Sequence, residues 1–348
     1  MNSLVGVERQ RLALGEFRLI DGRTLPQLVL AFETHGRLAL DGRNAILVTH
    51  GYTSNAHAAG RYAAADPQPG WWDGVIGPGK PIDTDRFFVV SSNMLGSSYG
   101  STGPGSIDPH TGRPYGPDFP EIELADIVAA QHRLLQALGV GHLVAVAGVS
   151  YGGFQAFQWG ISFPHFVDGL CAVCSAPRGR GPTAIEQTTA TLASDPRWNG
   201  GRFYETGGVF ETLRALRLRT LTQYGYQQVL SERLADAAER DAALERLAAD
   251  WAREFDANSL LTLGRAAARF DVEAQFSRLR AKLLYVLSTT DTLFPPTLAP
   301  EIMGKLRAAG VDAEYFALES AHGHVASTSE PDKWSPALRR FLARVAGA

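Results

Sequence analysis

Short apolar segments that alternate with helical patterns are the feature that most constrains how this chain can fold. Each segment is rich in aliphatic or β-branched residues and lacks the polar alternation of a strand with one face in water, so each predicts a strand buried on both faces. Between them, residues 122–138 show helical periodicity and are followed by a glycine, which commonly ends helices. The segments are AILVTH (45–50), FFVVSSN (87–93), LVAVAGVS (143–150), LCAVCSA (170–176) and KLLYVLST (282–289). This order predicts an α/β fold with a mostly parallel sheet flanked by helices.

Two regions depart from this order. Residues 17–34 alternate around an Asp-Gly pair and predict an antiparallel hairpin at one edge of the sheet. Residues 178–272 have no strand pattern, and their Gly- and Pro-rich connectors lead into a long segment rich in Ala, Leu, Glu and Arg. A stripe at helical spacing there predicts a packing face, with a pocket wall as the alternative: Leu244, Leu247, Trp251 and Phe255. We expect a core formed by 1–177 and 273–348 and an inserted helical cap, 178–272, called the cap segment below.

The composition excludes several classes of protein. With 45% hydrophobic residues, 20% charged residues and a net charge of -3, the chain is typical of a globular protein without a strong electrostatic field. The first residues lack the basic and apolar regions of a secretory signal, and no apolar run approaches the roughly 18 residues that a membrane helix requires. We expect a cytoplasmic protein that binds neither nucleic acid nor membranes.

A glycine-rich motif joins a predicted strand to a predicted helix. Gly148, Ser150 and Gly152 form the pattern GxSxG at the end of the apolar segment 143–150. In the nucleophile elbow of the α/β-hydrolase fold, a serine lies in a strained turn between small residues and exposes its hydroxyl to substrate. The motif in this context predicts that fold, with Ser150 as the nucleophile. The alternative is a strand-to-helix turn with an incidental serine.

A serine nucleophile needs a histidine base and a carboxylate that orients it, in the chain order Ser, acid, His for this fold. Asp291 follows the last of the predicted strands listed above, at the sheet edge where α/β proteins place functional groups. Asp256 and Asp271 are competitors, but neither follows a strand. Two histidines come after Asp291. We predict His324 as the base because it follows a glycine in a loop, with His322 as the alternative.

Acyl transfer also needs two backbone amides that bind the tetrahedral oxyanion. The residue after the nucleophile supplies one of them, which predicts the amide of Tyr151. A loop after an early strand supplies the other, and THGYT (49–53) follows the apolar AILV. The amide of Tyr52 is the candidate there. For both tyrosine side chains, simple packing is the alternative role.

Two other motifs do not support a function. Residues 74–80 match half of a phosphate-binding loop, but Pro81 replaces the Mg²⁺-binding hydroxyl and no strand precedes the motif. Cys171 and Cys174 have the spacing of a redox or zinc motif, but in a strand their side chains would point to opposite faces, and no second cysteine pair exists. We therefore expect no metal and no bound cofactor.

Longer strings around these motifs resemble the homoserine O-acetyltransferase family of α/β hydrolases over most of the chain except the cap segment. The strings are GWWDGVIGPGKPIDTDRFFVVSSN (70–93), LGSSYGSTGPGSIDPHTGRPYGPDFPEIELAD (95–126), GVSYGGFQAFQW (148–159), DPRWNGG (195–201), FDANSLLTL (255–263) and DTLFPP (291–296). The resemblance places Ser150, Asp291 and His324 on the family's triad and residues 50–53 on its oxyanion loop. It implies ping-pong acyl transfer by a homodimer that associates through cap helices.

The sequence departs from this family where the acceptor binds. After the catalytic histidine the family has an aspartate, which resembles an anchor for the amino group of homoserine, whereas this chain has Val325. The family's cap also has an arginine for the substrate carboxylate, and the register here leaves Arg214, Arg217 and Arg219 as alternatives. Loss of a buried charge partner disfavours a zwitterionic acceptor.

We therefore predict a serine esterase that hydrolyses small acetyl-type esters through an acyl-enzyme at Ser150, with Gly51, Thr53 and Val325 in the substrate pocket. The nearer alternative is an acyltransferase of the homoserine O-acetyltransferase type that uses acetyl-CoA or another acyl donor. The remoter alternative is a binding module without catalysis, which the intact order of triad residues argues against.

Overall fold

The computed structural model describes residues 3–347 as alternating strands and helices. The strands are β1 (Gln10–Arg18), β2 (Thr24–His35), β3 (Ala45–Thr49), β4 (Phe88–Ser92), β5 (Ile107–Asp108), β6 (Arg113–Pro114), β7 (Leu143–Val149), β8 (Val167–Val173), β9 (Lys282–Ser288) and β10 (Ala313–Leu318). The helices are α1 (Leu124–Ala137), α2 (Tyr151–Ser162), α3 (Thr183–Ala193), α4 (Phe210–Tyr224), α5 (Tyr226–Ser231), α6 (Ala237–Glu254), α7 (Ala257–Arg269), α8 (Ala299–Ala308), α9 (Ala326–Ser329) and α10 (Ser335–Val345). Within residues 3–347, none of the helices combines the length and hydrophobicity that crossing a membrane requires.

Eight strands form one sheet in the order β1-β2-β4-β3-β7-β8-β9-β10, and β5 pairs with β6 in a small separate ribbon. From β4 to β10 in this order, all neighbours pair in parallel. β1 and β2 form the predicted antiparallel hairpin, in which Phe17 lies opposite Leu25, and β1 is the edge strand. The predicted α/β architecture with a mostly parallel sheet is confirmed.

The central strands are apolar throughout because both faces of the sheet are covered. In β3, Ile46 and Val48 point to one face, where they join a cluster with Trp334 and Phe341. Leu47 points to the other face and joins the cluster formed with α1 and α2. Parallel strands end at a common edge, and the loops after β3, β7, β8 and β9 meet there.

One predicted strand is displaced by three residues. The apolar segment 170–176 predicts the strand, but β8 runs from Val167 to Val173. Cys174 has a φ of 45° and so leaves the extended conformation. At the other end, Val167 is buried although Asp168 beside it is exposed, and this interruption hid the start of the strand from the apolar pattern.

The cap segment contains α3 to α7, between β8 and β9, and no strand occurs among its residues. An isolated bridge between Arg178 and Asp271 joins its two ends. Its division from the core at these residues remains a prediction. The stripe predicted from helical spacing is only partly buried: Leu244, Trp251 and Phe255 are buried, whereas Leu247 is 41% exposed.

Candidate active site

Ser150 lies in a sharp turn between β7 and α2. Its backbone has a φ of 58° and a ψ of -119°, and non-glycine residues rarely adopt a positive φ. Such strain costs about 1–3 kcal/mol and persists where the surroundings enforce it, mainly at functional sites. A Cβ on Gly148 would lie 2.2 Å from the Gly152 oxygen, and a Cβ on Gly152 would lie 2.1 Å from the Thr49 oxygen. Only glycine fits at both positions, as the elbow motif requires.

Hydrogen bonds from the end of β8 and the residues after it fix the backbone of Ser150. Its N–H donates to the Val173 oxygen at 2.8 Å, and Ser175 Oγ donates to its carbonyl at 2.7 Å. The Ser175 carbonyl in turn accepts a hydrogen bond from the Tyr285 hydroxyl at 2.8 Å. The serine is therefore held in place by the ends of β7, β8 and β9.

Asp291 and His324 form a buried pair in the loops that follow β9 and β10. His324 Nδ1 lies 2.8 Å from Asp291 Oδ2, and both side chains are at most 5% exposed. Asp291 Oδ1 accepts the N–H groups of Leu293 and Phe294 at 2.8 and 3.2 Å. Because the carboxylate can only accept, Nδ1 holds a proton and Nε2 is left to receive one.

Ser150 lines a cavity, and two other residues of its lining lie beside the His324 ring. Ser150 Oγ and His324 Nε2 form no hydrogen bond in the described part of the chain. The rings of Tyr224 and Phe294 lie 4.9 and 5.8 Å from the His324 ring, and both residues line the same cavity as Ser150. Catalytic hydrogen bonds are commonly long until substrate binds, so this geometry suits proton transfer within a substrate complex.

The competing candidates have other partners. His322 Nε2 lies 2.9 Å from Glu232 Oε2, and its Nδ1 lies 2.8 Å from Ser329 Oγ. Asp256 and Asp271 each accept a backbone N–H at the start of a helical segment. None of these three side chains takes part in the hydrogen bond between His324 and Asp291.

The loop after β3 lies against the elbow. A Cβ on Gly51 would be 3.7 Å from the Ser150 Cβ. Tyr52 and Tyr151, whose amides are the predicted oxyanion donors, stack with ring centroids 5.7 Å apart. Their hydroxyls donate to backbone carbonyls of α7, and burial raises the pKa of both phenols, so they stay protonated. These side chains therefore tie the loop and the elbow to the cap segment.

Buried polar side chains that the sequence analysis did not identify support the same loop. Gln155 Nε2 donates to the His50 carbonyl at 3.2 Å, and Gln131 Nε2 donates to Gln155 Oε1 at 2.6 Å. His50 Nδ1 lies 2.8 Å from the Gly51 oxygen, and burial lowers the pKa of His50 to about 4. The His50 ring is thus neutral at neutral pH and donates through Nδ1. A glutamine within an apolar helix was the only available signal.

A cavity of about 260 Å³ lies above Ser150. The cap segment supplies much of its wall, including Ile185, Leu216, Arg217, Thr220, Tyr224 and Trp251. Of the three predicted pocket residues, Thr53 lines the cavity, whereas Gly51 and Val325 are not among its lining residues. Among the described residues, no acidic side chain lines the cavity, and its charged lining residues are Arg217 and the exposed Arg180.

Arg217 is the one of the three candidate arginines that lines the cavity. Its Nη1 donates to Thr53 Oγ1 at 2.7 Å, and its guanidinium carbon lies 5.2 Å from the Trp251 ring centroid. Its Nε is buried without a hydrogen-bond partner within the described chain. Arg214 forms ion pairs with glutamates instead, and Arg219 is exposed. Of the three arginines that the sequence left open, Arg217 is therefore the one that lies at the cavity.

The lysine of the partial phosphate-loop motif and the two cysteines are all buried. Lys80 is buried and donates from Nζ to the backbone oxygen of Asp73, with the Asp73 carboxylate 3.2 Å away. Cys171 and Cys174 are free thiols, and burial raises the pKa of both well above its usual range. Buried neutral thiols are poor nucleophiles and poor metal ligands.

Comparison with known proteins adds three observations to this geometry. Residues 44–330 match the family model described as the alpha/beta hydrolase fold. The chain is 38% identical over 351 residues to a homoserine O-acetyltransferase of Geobacter sulfurreducens, with 95% of each chain covered. Two crystal structures are similar: esterase E22 (TM-score 0.89, 30% identity, 97% of this chain and 100% of that chain) and a homoserine O-acetyltransferase from Bacillus anthracis (TM-score 0.87, 28% identity, 97% of each).

Proposed function

We propose a specific acyl transfer for this chain, which belongs to the homoserine O-acetyltransferase family of α/β hydrolases. Ser150 accepts a short acyl group from a donor such as acetyl-CoA and passes it to a hydroxyl acceptor that bears a carboxylate. The observation on which this proposal depends most is the buried Asp291–His324 pair at 2.8 Å, at the edge of the sheet where the strained Ser150 is exposed to the cavity.

The first half of the reaction forms an ester on the enzyme. His324 Nε2 takes the Ser150 hydroxyl proton as Oγ attacks the acyl carbon of the donor, and Asp291 stabilises the resulting imidazolium. The amides of Tyr52 and Tyr151 bind the negative oxygen of the tetrahedral intermediate. When that intermediate collapses, the leaving group takes the proton from His324 and departs, which leaves the acyl group on Ser150.

The second half repeats these steps with a different nucleophile. An acceptor hydroxyl gives its proton to His324 and attacks the acyl-enzyme, and Ser150 recovers its proton as the product ester leaves. Water in the same position would give hydrolysis. The ratio of transfer to hydrolysis depends on how well the cavity positions the acceptor hydroxyl.

The position of Arg217 is the evidence that the acceptor bears a carboxylate. Its guanidinium faces a cavity whose described lining contains no acidic residue, and Thr53 and Trp251 fix its orientation. A guanidinium in this setting favours a planar carboxylate, since both can form two parallel hydrogen bonds. The curated relative from Geobacter sulfurreducens, named for homoserine acetylation, supports the same kind of acceptor.

Hydrolysis of small esters is the second candidate, and Val325 favours it. The family has an aspartate after its catalytic histidine, at the position of Val325, and this aspartate resembles an anchor for the acceptor's amino group. Valine offers no charge to an ammonium, and no acidic side chain in the described cavity lining replaces the aspartate. Esterase E22, with a TM-score of 0.89, supports this candidate as well.

Two acceptors that differ only in the ammonium group test the proposal. Homoserine and its des-amino analogue 4-hydroxybutanoate are offered separately with acetyl-CoA or p-nitrophenyl acetate, and free acetate and acetylated acceptor are quantified. We expect 4-hydroxybutanoate to be acetylated at least as fast as homoserine, because Arg217 binds the carboxylate of both and nothing in the cavity binds the ammonium. Acetate release that no acceptor reduces would establish the second candidate instead.

Variants at Val325 serve as matched controls for this experiment. Val325→Asp adds a carboxylate next to the predicted base, and we expect it to increase homoserine acetylation relative to 4-hydroxybutanoate. Val325→Asn has the same shape without the charge and should change the ratio little. Equal ratios in both variants would contradict an ammonium site at this position.

A further inference from the structure

His322 bridges the cap segment and the turn that contains His324. Its Nε2 lies 2.9 Å from Oε2 of Glu232, the residue directly after α5, and its Nδ1 lies 2.8 Å from Ser329 Oγ in α9. The imidazole is 6% exposed, whereas the Glu232 side chain is 51% exposed. An imidazole with a partner at each nitrogen has one defined orientation, so this ring joins two segments that are remote in sequence.

The backbones beside this pair are in close contact. A Cβ on Gly225, which separates α4 from α5, would lie 2.5 Å from the His322 oxygen, and Gly225 adopts a φ of 95°. The preceding residue is Tyr224, whose ring lies 4.9 Å from the His324 ring and lines the cavity. The placement of α5 on the turn therefore determines where Tyr224 lies relative to the predicted base.

We propose that His322 and Glu232 form a latch that holds the cap segment against the turn of His324. His322 is then a positioning residue, which acts by keeping Tyr224 against the His324 ring and over the cavity. The proposal rests on the proposed function, in which His324 is the base. It gives the second histidine of the His-Gly-His sequence a role distinct from catalysis.

The hydrogen bonds of the latch hold the ring in one place. The Ser329 hydroxyl donates to the Val325 oxygen at 3.0 Å, so the oxygen that lies 2.8 Å from His322 Nδ1 is itself anchored in the turn. The Glu232 carboxylate, which only accepts, lies at Nε2 on the other side of the ring. Removal of either His322 or the Glu232 carboxylate therefore breaks the link between α5 and the turn.

Other charged groups lie around the ring. Glu330 Oε2 lies 3.7 Å from His322 Nδ1, and Lys333 Nζ lies 2.6 Å from the other oxygen of Glu330. The turn after His322 contributes the Asp291–His324 pair. Of the carboxylates named here, Glu232 is the one that belongs to the cap segment, so its substitution breaks the contact with the cap and leaves the others in place.

Kinetics of Glu232→Gln and His322→Gln test the latch. Glu232 is half exposed, so its substitution does not endanger folding. We measure kcat and KM for p-nitrophenyl acetate, and we expect each variant to lose about fivefold in kcat/KM, because Tyr224 is no longer held against the His324 ring. Glu232→Asp, which keeps the carboxylate, should recover part of this loss. The double variant should lose no more than either single variant.

A second histidine–carboxylate pair provides the matched control. His142 Nε2 lies 2.8 Å from Asp168 Oδ2 at the opposite end of the strands, and His142→Gln should leave kcat/KM unchanged. Unchanged kcat/KM in Glu232→Gln or His322→Gln, additive losses in the double variant, or an equal loss in His142→Gln would each overturn the latch. Ser150→Ala separates this failure from that of the proposed function: if it retains activity, the reaction assigned to the site is wrong.

Discussion

The sheet edge and the cap segment hold their polar groups in different ways. At the sheet edge, Ser150 and Asp291 are fixed by backbone hydrogen bonds, and Asp291 is almost completely buried. In the cap segment, Arg217 extends from one helix and is held by a single hydroxyl and one aromatic ring. The comparison teaches that the proposed bond-forming groups are fixed by the backbone of the sheet, whereas the arginine proposed to select a substrate depends on side-chain contacts of one helix.

The largest expected effect lies at the sheet edge. Ser150→Ala should lower kcat by about 10⁵-fold, because only the oxyanion amides and substrate binding remain. Ser162→Ala, at the end of the same helix α2, is the control and should retain nearly full activity. Steady-state turnover of p-nitrophenyl acetate measures both. Substantial activity in Ser150→Ala would assign the nucleophile to another residue.

His324→Ala should be almost as damaging as the serine variant. We expect a loss of about 10⁴-fold in kcat, since the serine and its base act as one unit. Added imidazole should restore part of the activity of His324→Ala, because a small base can occupy the space that the side chain leaves. If His322→Ala shows the larger loss in the same assay, the base is His322 and the prediction for His324 is wrong.

Acid stability tests the burial of His50 in the predicted oxyanion loop. Its folded-state pKa of about 4 lies below the usual value of 6.5, so the unfolded chain binds a proton that the folded chain does not. The free energy of unfolding should therefore fall as the pH drops from about 6.5 towards 4, by about 3 kcal/mol from this residue. His50→Asn, which keeps a donor for the Gly51 oxygen but cannot titrate, should flatten that decline in urea unfolding. If the free energy of unfolding falls equally with pH in the wild type and in His50→Asn, the low pKa of His50 is contradicted.

A smaller effect is expected in the cap segment. Arg217→Ala should lower kcat/KM for 4-hydroxybutanoate as acceptor by about 30-fold, equivalent to ~2 kcal/mol for a charge-assisted hydrogen bond. Hydrolysis of p-nitrophenyl acetate, which has no carboxylate, should change much less. Arg214→Ala is the matched control, because Arg214 lies on the same helix but pairs with glutamates outside the cavity. Equal losses of kcat/KM in Arg217→Ala and Arg214→Ala would contradict the assignment of Arg217 to the acceptor site.

The same contrast explains how much of the molecule could be predicted. The elbow could be located because its strained φ requires glycines at 148 and 152, and the position of Asp291 followed from the end of an apolar strand. Backbone constraints of this kind restrict which residue types can occur at a position, so they can be recognised in the sequence. The roles of Asp291 and His324 nevertheless stay predictions until they are measured.

In the cap segment, no backbone constraint of this kind identifies the residues that face the cavity. Arg214, Arg217 and Arg219 lie within two turns of α4, and only the packing of that helix decides which one faces the cavity. The exposed Leu247 shows the same limit, since helical spacing alone predicted its burial. The hydrogen bond from Gln155 to the predicted oxyanion loop could not be predicted either, because a glutamine within an apolar helix does not show which remote carbonyl it contacts.

Trapping the acyl-enzyme tests the central claim most directly. The wild-type protein is reacted with a slowly released ester or a serine-directed phosphonate, digested and mapped by mass spectrometry. We predict a single adduct on Ser150, absent from Ser150→Ala and formed much more slowly in His324→Ala. An adduct on another residue, or turnover of the ester without any modification of Ser150, would contradict the account.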